Sequence, residues 1–274
     1  MDFSQATVFS QKYTLKIEFN DKKSNEELLG EQSSHSLTEC TAMCQGECSF
    51  YGFHPQLKKC RTHKKVFTSG LFNESGWRYY SYDSIPFDCE DLHENSGSNS
   101  GVYDIYPYRT ITMPVTVYCD MKTMEGGWTA IQKRVDGSVS FDRSWTEYKS
   151  GFGAPEQNYW IGNDAIHLLT KENKASLYVS ITLQNGTTLY EMYDGFSVSN
   201  EAGKYQLFLS GPATGTLGDS MLETSGSYAN LSGMFFTTKD RDNDRASGNC
   251  AADYKGGWWF NSCTFTFLNG PCDG

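Results

Sequence analysis

Residues 126–153 read GGWTAIQKRVDGSVSFDRSWTEYKSGFG and predict a strand, a tight turn and a helix in close succession. The run 128–135 has the composition of a strand, and Asp136-Gly137 is a dipeptide that forms tight turns. Ser144 precedes Glu147 by three residues, which is the spacing of a capping box at the start of a helix. This stretch predicts a domain that combines helices with strands.

Further elements are predicted on both sides of this stretch. Residues 114–121 (PVTVYCDM) have strand character. Residues 158–170 predict a turn and then a helix capped at Asn163, and strands that continue a mixed sheet follow near 189–193 and 205–209. Four apolar residues alternate strictly and predict one buried strand face: Leu177, Val179, Ile181 and Leu183.

Residues 1–84 carry a different pattern, because they hold four of the nine cysteines within a short span. Ser36 and Glu39 have capping-box spacing, so a short helix is predicted over 37–45. Strands are predicted over 13–19, 49–54 and 76–82.

The strings SLTECTAMC, CSFYGFHPQLKKC and GWRYY resemble a PAN/apple-like domain. The resemblance implies the disulfides Cys40–Cys60 and Cys44–Cys48, whereas the sequence alone leaves three connectivities open for four cysteines. We expect a small disulfide-linked domain over residues 1–84, followed by a second domain over residues 85–274. Modules of this kind bind proteins or sugars, or separate other domains.

The chain of 274 residues has 33 acidic and 23 basic side chains and a net charge of −10. Residues 1–84 are neutral, so the whole imbalance lies in the remainder. Nucleic-acid binding needs a basic surface, and this balance favours a cation as partner instead. No apolar run reaches the roughly 20 residues of a membrane span. The first twenty residues lack the apolar run of a signal peptide, so a mature chain or an expression product is expected.

Nine cysteines and three N-glycosylation acceptors favour an oxidising, secretory history. The acceptors are Asn73, Asn185 and Asn230. The cysteines are not arranged in the paired CxxC motifs of zinc sites. A secreted, extracellular glycoprotein is expected.

An acidic loop in the string TKDRDNDRASGNC (238–250) is the strongest functional signal. It contains three alternating aspartates: Asp240, Asp242 and Asp244. Carboxylates at this density repel one another unless a cation lies between them, and hard oxygen ligands suit Ca²⁺. An EF-hand is excluded, because its sixth and twelfth positions hold Arg245 and Ala251 in place of Gly and Glu. The alternative is a solvated turn in which Arg241 and Arg245 balance the acids.

Residues from about 88 onward resemble a fibrinogen-related (fibrinogen C-terminal-like) domain. The resemblance is carried, in order, by DCEDL, GVYDIYP, VYCDM, GGWTAIQKRVDGSVSFDRSWTEYKSGFG, YWIGNDAIHLLT, TTKDRDNDRASGNCA, GGWWFNSC and LNG. It implies an α+β fold with a mixed, mainly antiparallel sheet and a loop-rich calcium-binding subdomain. It also implies the disulfides Cys89–Cys119 and Cys250–Cys263.

The same resemblance implies a calcium site and a ligand pocket beside it. The implied calcium ligands are the side chains of Asp242 and Asp244 and the carbonyl groups of Ala246 and Gly248, with Asp240 assisting from behind them. Many members bind acetylated sugars in the pocket, which is implied here at Asn249, Cys250, Tyr254 and Thr264. The Asn249–Cys250 peptide corresponds to one that is cis in several members.

Two features depart from the acetyl-binding members of that family. Thr264 stands where they usually carry His, and Thr is smaller and cannot become cationic. The chain also stops at Gly274, where the family usually continues into a closing strand and further pocket aromatics. Either the sequence is truncated or this is a variant with an opened pocket, and the missing stretch should leave an exposed sheet edge that invites pairing with another chain. Cys272 is the odd cysteine, and we expect it either to be a free thiol or to form a disulfide with a second chain. Such a disulfide, or pairing at the exposed sheet edge, predicts a homo-oligomer.

The predicted function is calcium-dependent recognition by a secreted, non-enzymatic protein of the ficolin- or tachylectin-like type. Its ligands would be N-acetylated or sialylated glycans on microbial or cell surfaces, as in innate immunity. The alternative is an extracellular structural or adhesive protein whose fibrinogen-like domain binds protein partners. No HExxH, P-loop or GxSxG motif occurs, so an enzyme is not expected. Trp258 and Trp259 are weaker candidates for sugar stacking, and His167 is expected to be structural.

Overall fold

The computed structural model describes residues 4–8, 22–23, 28–36, 39–40, 43, 48, 50–64, 72–73, 76–81, 86–96, 99–108, 113–171, 175–222 and 230–271. The chain divides into two compact units. The large unit contains residues 1–11, 88–104 and 115–274, and the small unit contains residues 12–87 and 105–114. The first eleven residues therefore belong to the large unit, whereas the sequence pattern placed them in the N-terminal domain.

The small unit is built on a four-stranded antiparallel sheet. In spatial order its strands are β3 (Leu28–Ser33), β5 (Lys59–His63), β4 (Phe50–His54) and β7 (Arg78–Ser81). Two short strands, β2 (Lys22–Lys23) and β6 (Phe72–Asn73), pair separately. The predicted disulfide Cys40–Cys60 ties a helical turn to β5 and lies in the buried cluster of this unit.

The cysteine-rich segment of the small unit agrees with the sequence in part. Ser36 Oγ accepts a hydrogen bond from the Glu39 N–H at 3.1 Å, as a capping box requires. The Glu39 carboxylate accepts from the His35 N–H at 2.6 Å, one residue before the expected partner. Cys48 is disulfide-bonded, but its expected partner Cys44 and the strand expected over 13–19 lie outside the described residues. The PAN/apple-like assignment stays a prediction.

The large unit is organised around a nine-stranded sheet whose main path is antiparallel throughout. Along this path lie β11 (Phe152–Gly153), β12 (Tyr159–Trp160), β10 (Trp128–Lys133), β1 (Ser4–Val8), β13 (Ala175–Thr182), β14 (Thr188–Val198) and β15 (Leu207–Gly215). Two further strands, β9 (Val115–Asp120) and β8 (Gly101–Ile105), extend from β10. The predictions of strands over 114–121 and 128–135 are confirmed as β9 and β10.

A central strand of this sheet comes from the N-terminus of the chain, which the sequence pattern did not predict. Strand β1 lies between β10 and β13 and is antiparallel to both. Ala6 lies opposite Gln132 on one side and opposite Val179 on the other. The facing edges of β10 and β13 are therefore both paired with β1.

The described residues of the large unit form four α-helices, namely α1 (Cys89–Ser96), α2 (Trp145–Ser150), α3 (Asn163–Thr170) and α4 (Cys250–Tyr254). The predicted capping box at α2 is confirmed, since Ser144 and Glu147 exchange backbone and side-chain hydrogen bonds. The bond from the Ser144 N–H is the main reason that the pKa of Glu147 falls to about 2. Among the described residues, no helix is long and apolar enough to cross a membrane.

Two local predictions for the large unit were wrong. Asn163 does not cap α3, because Gly162 occupies the cap position and Asn163 Oδ1 accepts from Trp160 Nε1 at 2.9 Å. The buried face predicted for β13 holds at Leu177 and Val179 and ends there. Leu183 is exposed because it lies past the strand end, in the turn that leads into β14.

The core of the large unit is aromatic. Phe236 is fully buried, with its ring centroid 5.0 Å from that of Tyr148 and 5.1 Å from that of Trp259. The Tyr148 hydroxyl donates to the Phe141 carbonyl at 2.7 Å and accepts from the Gly257 N–H at 3.0 Å. These contacts join α2 to the segment that follows α4.

Three residues weighed as functional candidates are structural. Trp258 and Trp259 are both buried, so they pack in the core and are not free to stack on a sugar. His167 Nδ1 lies 2.8 Å from the Val198 carbonyl oxygen and so ties α3 to β14.

Asp88 gives the large unit a predicted pH dependence. Its carboxylate accepts from the Asp91 N–H at 3.0 Å, and burial raises its pKa from the ordinary 3.8 to about 8. Between these values the folded state binds the proton more tightly than the unfolded state, so the contribution of this group to stability falls as pH rises. Asp88→Asn is expected to reduce that fall. Urea unfolding of both proteins at about pH 5 and about pH 8 checks it, and identical changes with pH would contradict it.

Candidate functional site

The acidic loop is closed by backbone pairing and by the amide of Asn249. Thr238 and Arg241 exchange two backbone hydrogen bonds of 3.0 Å. Asn249 caps α4, because its Oδ1 accepts from the Ala252 N–H at 3.0 Å, and its Nδ2 donates to the Thr238 carbonyl at 3.0 Å. Asn249, which the resemblance placed in the ligand pocket, uses its side chain to join the two ends of the loop.

Asp242 and Asp244 lie on the same part of this loop and interact. Asp244 accepts from the Ala246 N–H at 2.8 Å through Oδ1 and from the Cys250 N–H at 2.9 Å through Oδ2. Asp242 Oδ1 accepts from the Asp244 N–H at 3.2 Å. Burial is the main cause that raises the pKa of Asp244, and the charge of Asp242 raises it further. A cation beside both carboxylates would relieve this electrostatic cost.

Asp240 has a different role from the other two aspartates. Its Oδ1 accepts from the Trp145 N–H at 2.9 Å and from the Thr238 hydroxyl at 2.8 Å. Trp145 is the first residue of α2, so Asp240 attaches the loop to the start of this helix. This contact agrees with an assisting role, in which Asp240 holds the loop in place and Asp242 and Asp244 are the implied ligands.

The side chain of Arg241 is directed away from the aspartates of the loop. The Arg241 guanidinium carbon lies 4.1 Å from the centroid of the Trp145 ring, and Nη1 lies 3.6 Å from Glu201 Oε1. In the described part of the chain, no ion pair joins Arg241 or Arg245 to an aspartate of the loop. Compensation by these arginines, the alternative left open by the sequence, is therefore not observed there.

The oxygen atoms of the loop suit a hard cation. The Ala246 and Gly248 carbonyl groups accept no hydrogen bond from the residues that the structure describes. Within those residues, no group of three or more His, Cys, Asp or Glu side chains is arranged to hold a metal. A site here would combine two carboxylates with carbonyl and water oxygens, which is a donor set that calcium accepts.

A disulfide connects the acidic loop to the C-terminal segment. Cys250, the first residue of α4, is bonded to Cys263 with an S–S distance of 2.08 Å. The Arg245 N–H also donates to the Asn261 carbonyl at 2.8 Å. Among the described residues, the non-proline cis peptide lies at Ser262–Cys263, so its implied position at Asn249–Cys250 was wrong. Asn249 instead continues directly into α4 as its cap.

Tyr254, at the end of α4, presents a partly exposed ring above other aromatic side chains. The ring is stacked on Phe260 with centroids 6.2 Å apart and meets the edge of Phe267, also at 6.2 Å. The centroids of Phe260 and Phe267 are 5.1 Å apart. The side chain of Tyr254 remains 52% exposed. We call Tyr254 and the partly buried Phe267, together with the fully buried Phe260 beneath them, the aromatic face.

Thr264 is close in sequence to this face, but its hydroxyl is already occupied. Thr264 Oγ1 donates to the Thr266 carbonyl at 2.8 Å and accepts from the Thr266 N–H at 3.1 Å. Between them, Phe265 is 67% exposed. Sequence reasoning missed both Phe265 and the aromatic face beyond Tyr254. The string TFTF (264–267) was the available signal, because alternation places aromatic residues at regular intervals beside Cys263.

The remaining predicted residues lie apart from this site. Asn185 is exposed in the turn between β13 and β14, whereas Asn230 is half-buried and accepts from the Ser232 N–H at 2.9 Å. Asn73 lies in β6. Cys272 lies outside the described residues. The large unit also contains the predicted disulfide Cys89–Cys119.

The fold of the large unit is that of a known family. Residues 85–273 match the model of the fibrinogen beta and gamma chains, C-terminal globular domain. The chain belongs to this family.

Known relatives support this assignment at the level of sequence and structure. Human fibroleukin is 45% identical over 184 residues, which cover 67% of this chain and 41% of fibroleukin. The fibrinogen-like globe domain of human ANGPTL2 has a TM-score of 0.62 and 38% identity, covering 68% of this chain and 82% of that one. Lamprey fibrin D-dimer, complexed with the peptide Gly-His-Arg-Pro-amide, has a TM-score of 0.62 and 37% identity, covering 68% and 61%. The chain spans less than half the length of fibroleukin.

Proposed function

We propose that this protein is an extracellular, non-enzymatic recognition protein that binds glycans in a calcium-dependent manner. The observation that carries the proposal is the Cys250–Cys263 disulfide, which joins the acidic loop to the segment that bears the aromatic face. Because the disulfide restrains this segment relative to the loop, calcium binding in the loop would also stabilise the surface that would contact a ligand. The three described disulfides are typical of proteins from an oxidising compartment.

Calcium would be held by the carboxylates of Asp242 and Asp244 and by the carbonyl groups of Ala246 and Gly248. When bound, the ion would supply positive charge between two carboxylates that otherwise repel each other. Asp244 already fixes the Cys250 N–H at 2.9 Å, so the geometry of this carboxylate sets the start of α4. Tyr254 lies one turn further along the same helix.

The aromatic face suits a ligand with both apolar and polar surface. An exposed ring buries apolar area on contact, while the tyrosine hydroxyl remains able to donate a hydrogen bond. A sugar ring, or an acetyl group with its methyl and carbonyl, offers both kinds of surface. The sugars expected from the sequence are N-acetylated or sialylated. Repeated weak sites in an oligomer would raise the overall affinity.

A second candidate function is binding of a protein or peptide, in an adhesive or structural setting. It is favoured by Thr264, whose hydroxyl is engaged with Thr266 and is not free for a sugar. The relative solved with a four-residue peptide ligand also favours it. A glycan array with Ca²⁺ and with EDTA separates the two. Glycan signals that EDTA abolishes support the first function, and no signal in either condition favours the second.

Tyr254→Ala is expected to lower the affinity for any glycan found on the array by about tenfold or more, which corresponds to about 1.4 kcal/mol. Tyr254→Phe keeps the ring and is expected to lose much less. Phe208→Ala, which removes a half-exposed ring of β15, serves as the matched control. Binding is measured by titration calorimetry. Equal losses for Tyr254→Ala and Phe208→Ala would contradict a role of the aromatic face.

A homo-oligomer linked through Cys272 is part of this proposal. Non-reducing electrophoresis of the whole chain should show a species of two or more chains that a thiol reductant converts to monomer. Monomer alone, with Cys272 accessible to alkylation, would contradict a disulfide between chains.

A further inference from the structure

The space between β10 and β13 is the most unusual feature of the sheet, because a segment remote in sequence fills it. Residues 5–8 pair with residues 129–133 on one side, and residues 4–8 pair with residues 177–181 on the other. Neither neighbour is joined to β1 by a short connection. We call the space between β10 and β13 the strand slot.

The strand slot needs an occupant. Without one, β10 and β13 would each present a row of unpaired backbone N–H and C=O groups, which is costly inside a sheet. The main path of the sheet would also be divided, with β10 to β12 on one side and β13 to β15 on the other. The surroundings of the strand slot are apolar, since residues of both flanking strands, including Ile131, Leu177 and Val179, line one cavity.

The occupant is recognised mainly through its backbone. An extended segment that runs antiparallel to the strands on both sides forms hydrogen bonds along both of its edges, in the manner of peptides that add a strand to a sheet. The register shifts between Ala6 and Thr7 against β10 and stays regular against β13. The segment Ser4–Val8 therefore has a defined register on the β13 side.

We propose that the strand slot is an exchangeable strand-binding site that accepts residues 4–8 of a second copy of this chain. The structure shows that this segment fits the slot, and every copy carries both the segment and the slot. Exchange of identical segments between two copies reproduces the same backbone pairing and closes a symmetric dimer. This site is independent of the acidic loop and of the proposed calcium and glycan binding.

The pairing register supplies the test. Gln5 lies opposite Ser180 in the β1–β13 pair. Opposed residues of antiparallel strands have Cα atoms close enough for a disulfide, whereas a shift by one residue directs the side chains to opposite faces. The whole chain carrying Gln5→Cys is mixed with the whole chain carrying Ser180→Cys under mild oxidation. The matched control mixes Ala6→Cys with Ser180→Cys.

The two-chain product linking positions 5 and 180 is expected at about fivefold or higher yield than the control product, as the register requires. Mass spectrometry identifies the linked cysteines, so that bridges through Cys272 are not counted. An excess of a synthetic peptide of residues 1–11 should suppress the product by competing for the strand slot. Equal yields in the two mixtures, or a yield that the peptide does not change, would overturn the proposal.

A second measurement does not depend on exchange between two folded chains. Residues 1–11 as a peptide with Cys at position 5 should label the Ser180→Cys chain at position 180, and the peptide with Cys at position 6 should not. Labelling by both peptides to the same extent, or by neither, would also overturn the proposal. Calcium removal should leave both results unchanged, which separates this site from the proposed function.

Discussion

Phe236→Ala is expected to lower the free energy of unfolding of the large unit by about 3–5 kcal/mol. The Phe236 side chain is fully buried and its ring contacts four aromatic neighbours: Trp145, Tyr148, Trp160 and Trp259. Truncation removes these contacts and leaves a cavity that rigid rings cannot close by small movements. Denaturant unfolding followed by tryptophan fluorescence measures the change.

Phe235→Ala is the matched control for this prediction. Phe235 is only half-buried and lies 5.1 Å below the ammonium group of Lys204. We expect it to cost less than about 1.5 kcal/mol, because partly exposed side chains lose less transfer energy and leave no closed cavity. Equal losses for the two variants would show that Phe236 is not central to the core.

Asp244→Asn is expected to weaken calcium binding by about tenfold or more and to abolish most of the stabilisation that calcium provides. The variant removes one of two acidic ligands and puts an amide where Oδ2 accepts from the Cys250 N–H. Calcium titration calorimetry gives the affinity, and thermal unfolding with Ca²⁺ and with EDTA gives the stabilisation.

Asp253→Asn controls for the change of charge. Asp253 is an exposed acid of α4, and its replacement alters the net charge by the same amount. Its calcium affinity should match that of the unmodified protein. If Asp244→Asn also binds calcium with unchanged affinity, the acidic loop is not the metal site. If the unmodified protein binds no calcium, the calcium-dependent part of the proposed function is wrong.

Local patterns predicted the elements whose signals lie within a few residues. The capping box at Ser144 was correct because both partners belong to the same turn. Strand β9 was correct because its alternating burial matches the period-two pattern of a half-buried strand. Strand β10 is buried on both faces, and its prediction was correct because its composition is that of a strand. The family resemblance supplied the disulfides Cys89–Cys119 and Cys250–Cys263, which spacing alone does not determine.

Tertiary context decided the features that local patterns missed. Asn163 has the side chain of a helix cap, but a bond to the buried Trp160 indole competes for its oxygen. Leu183 continues an apolar alternation past the point where the sheet ends. The partners of β1 lie more than a hundred positions further along the chain, so no window of neighbouring residues contains the signal for this pairing.

The origin of β1 also constrains how the protein is made. Synthesis proceeds from the N-terminus, so Ser4–Val8 leaves the ribosome long before β10 and β13 exist. Contacts with such large sequence separation slow folding, because a long loop must close before they form. The nascent chain must therefore carry an unpaired strand while more than a hundred further residues are added, and a holdase chaperone that shields Ser4–Val8 should raise the yield of correctly folded protein.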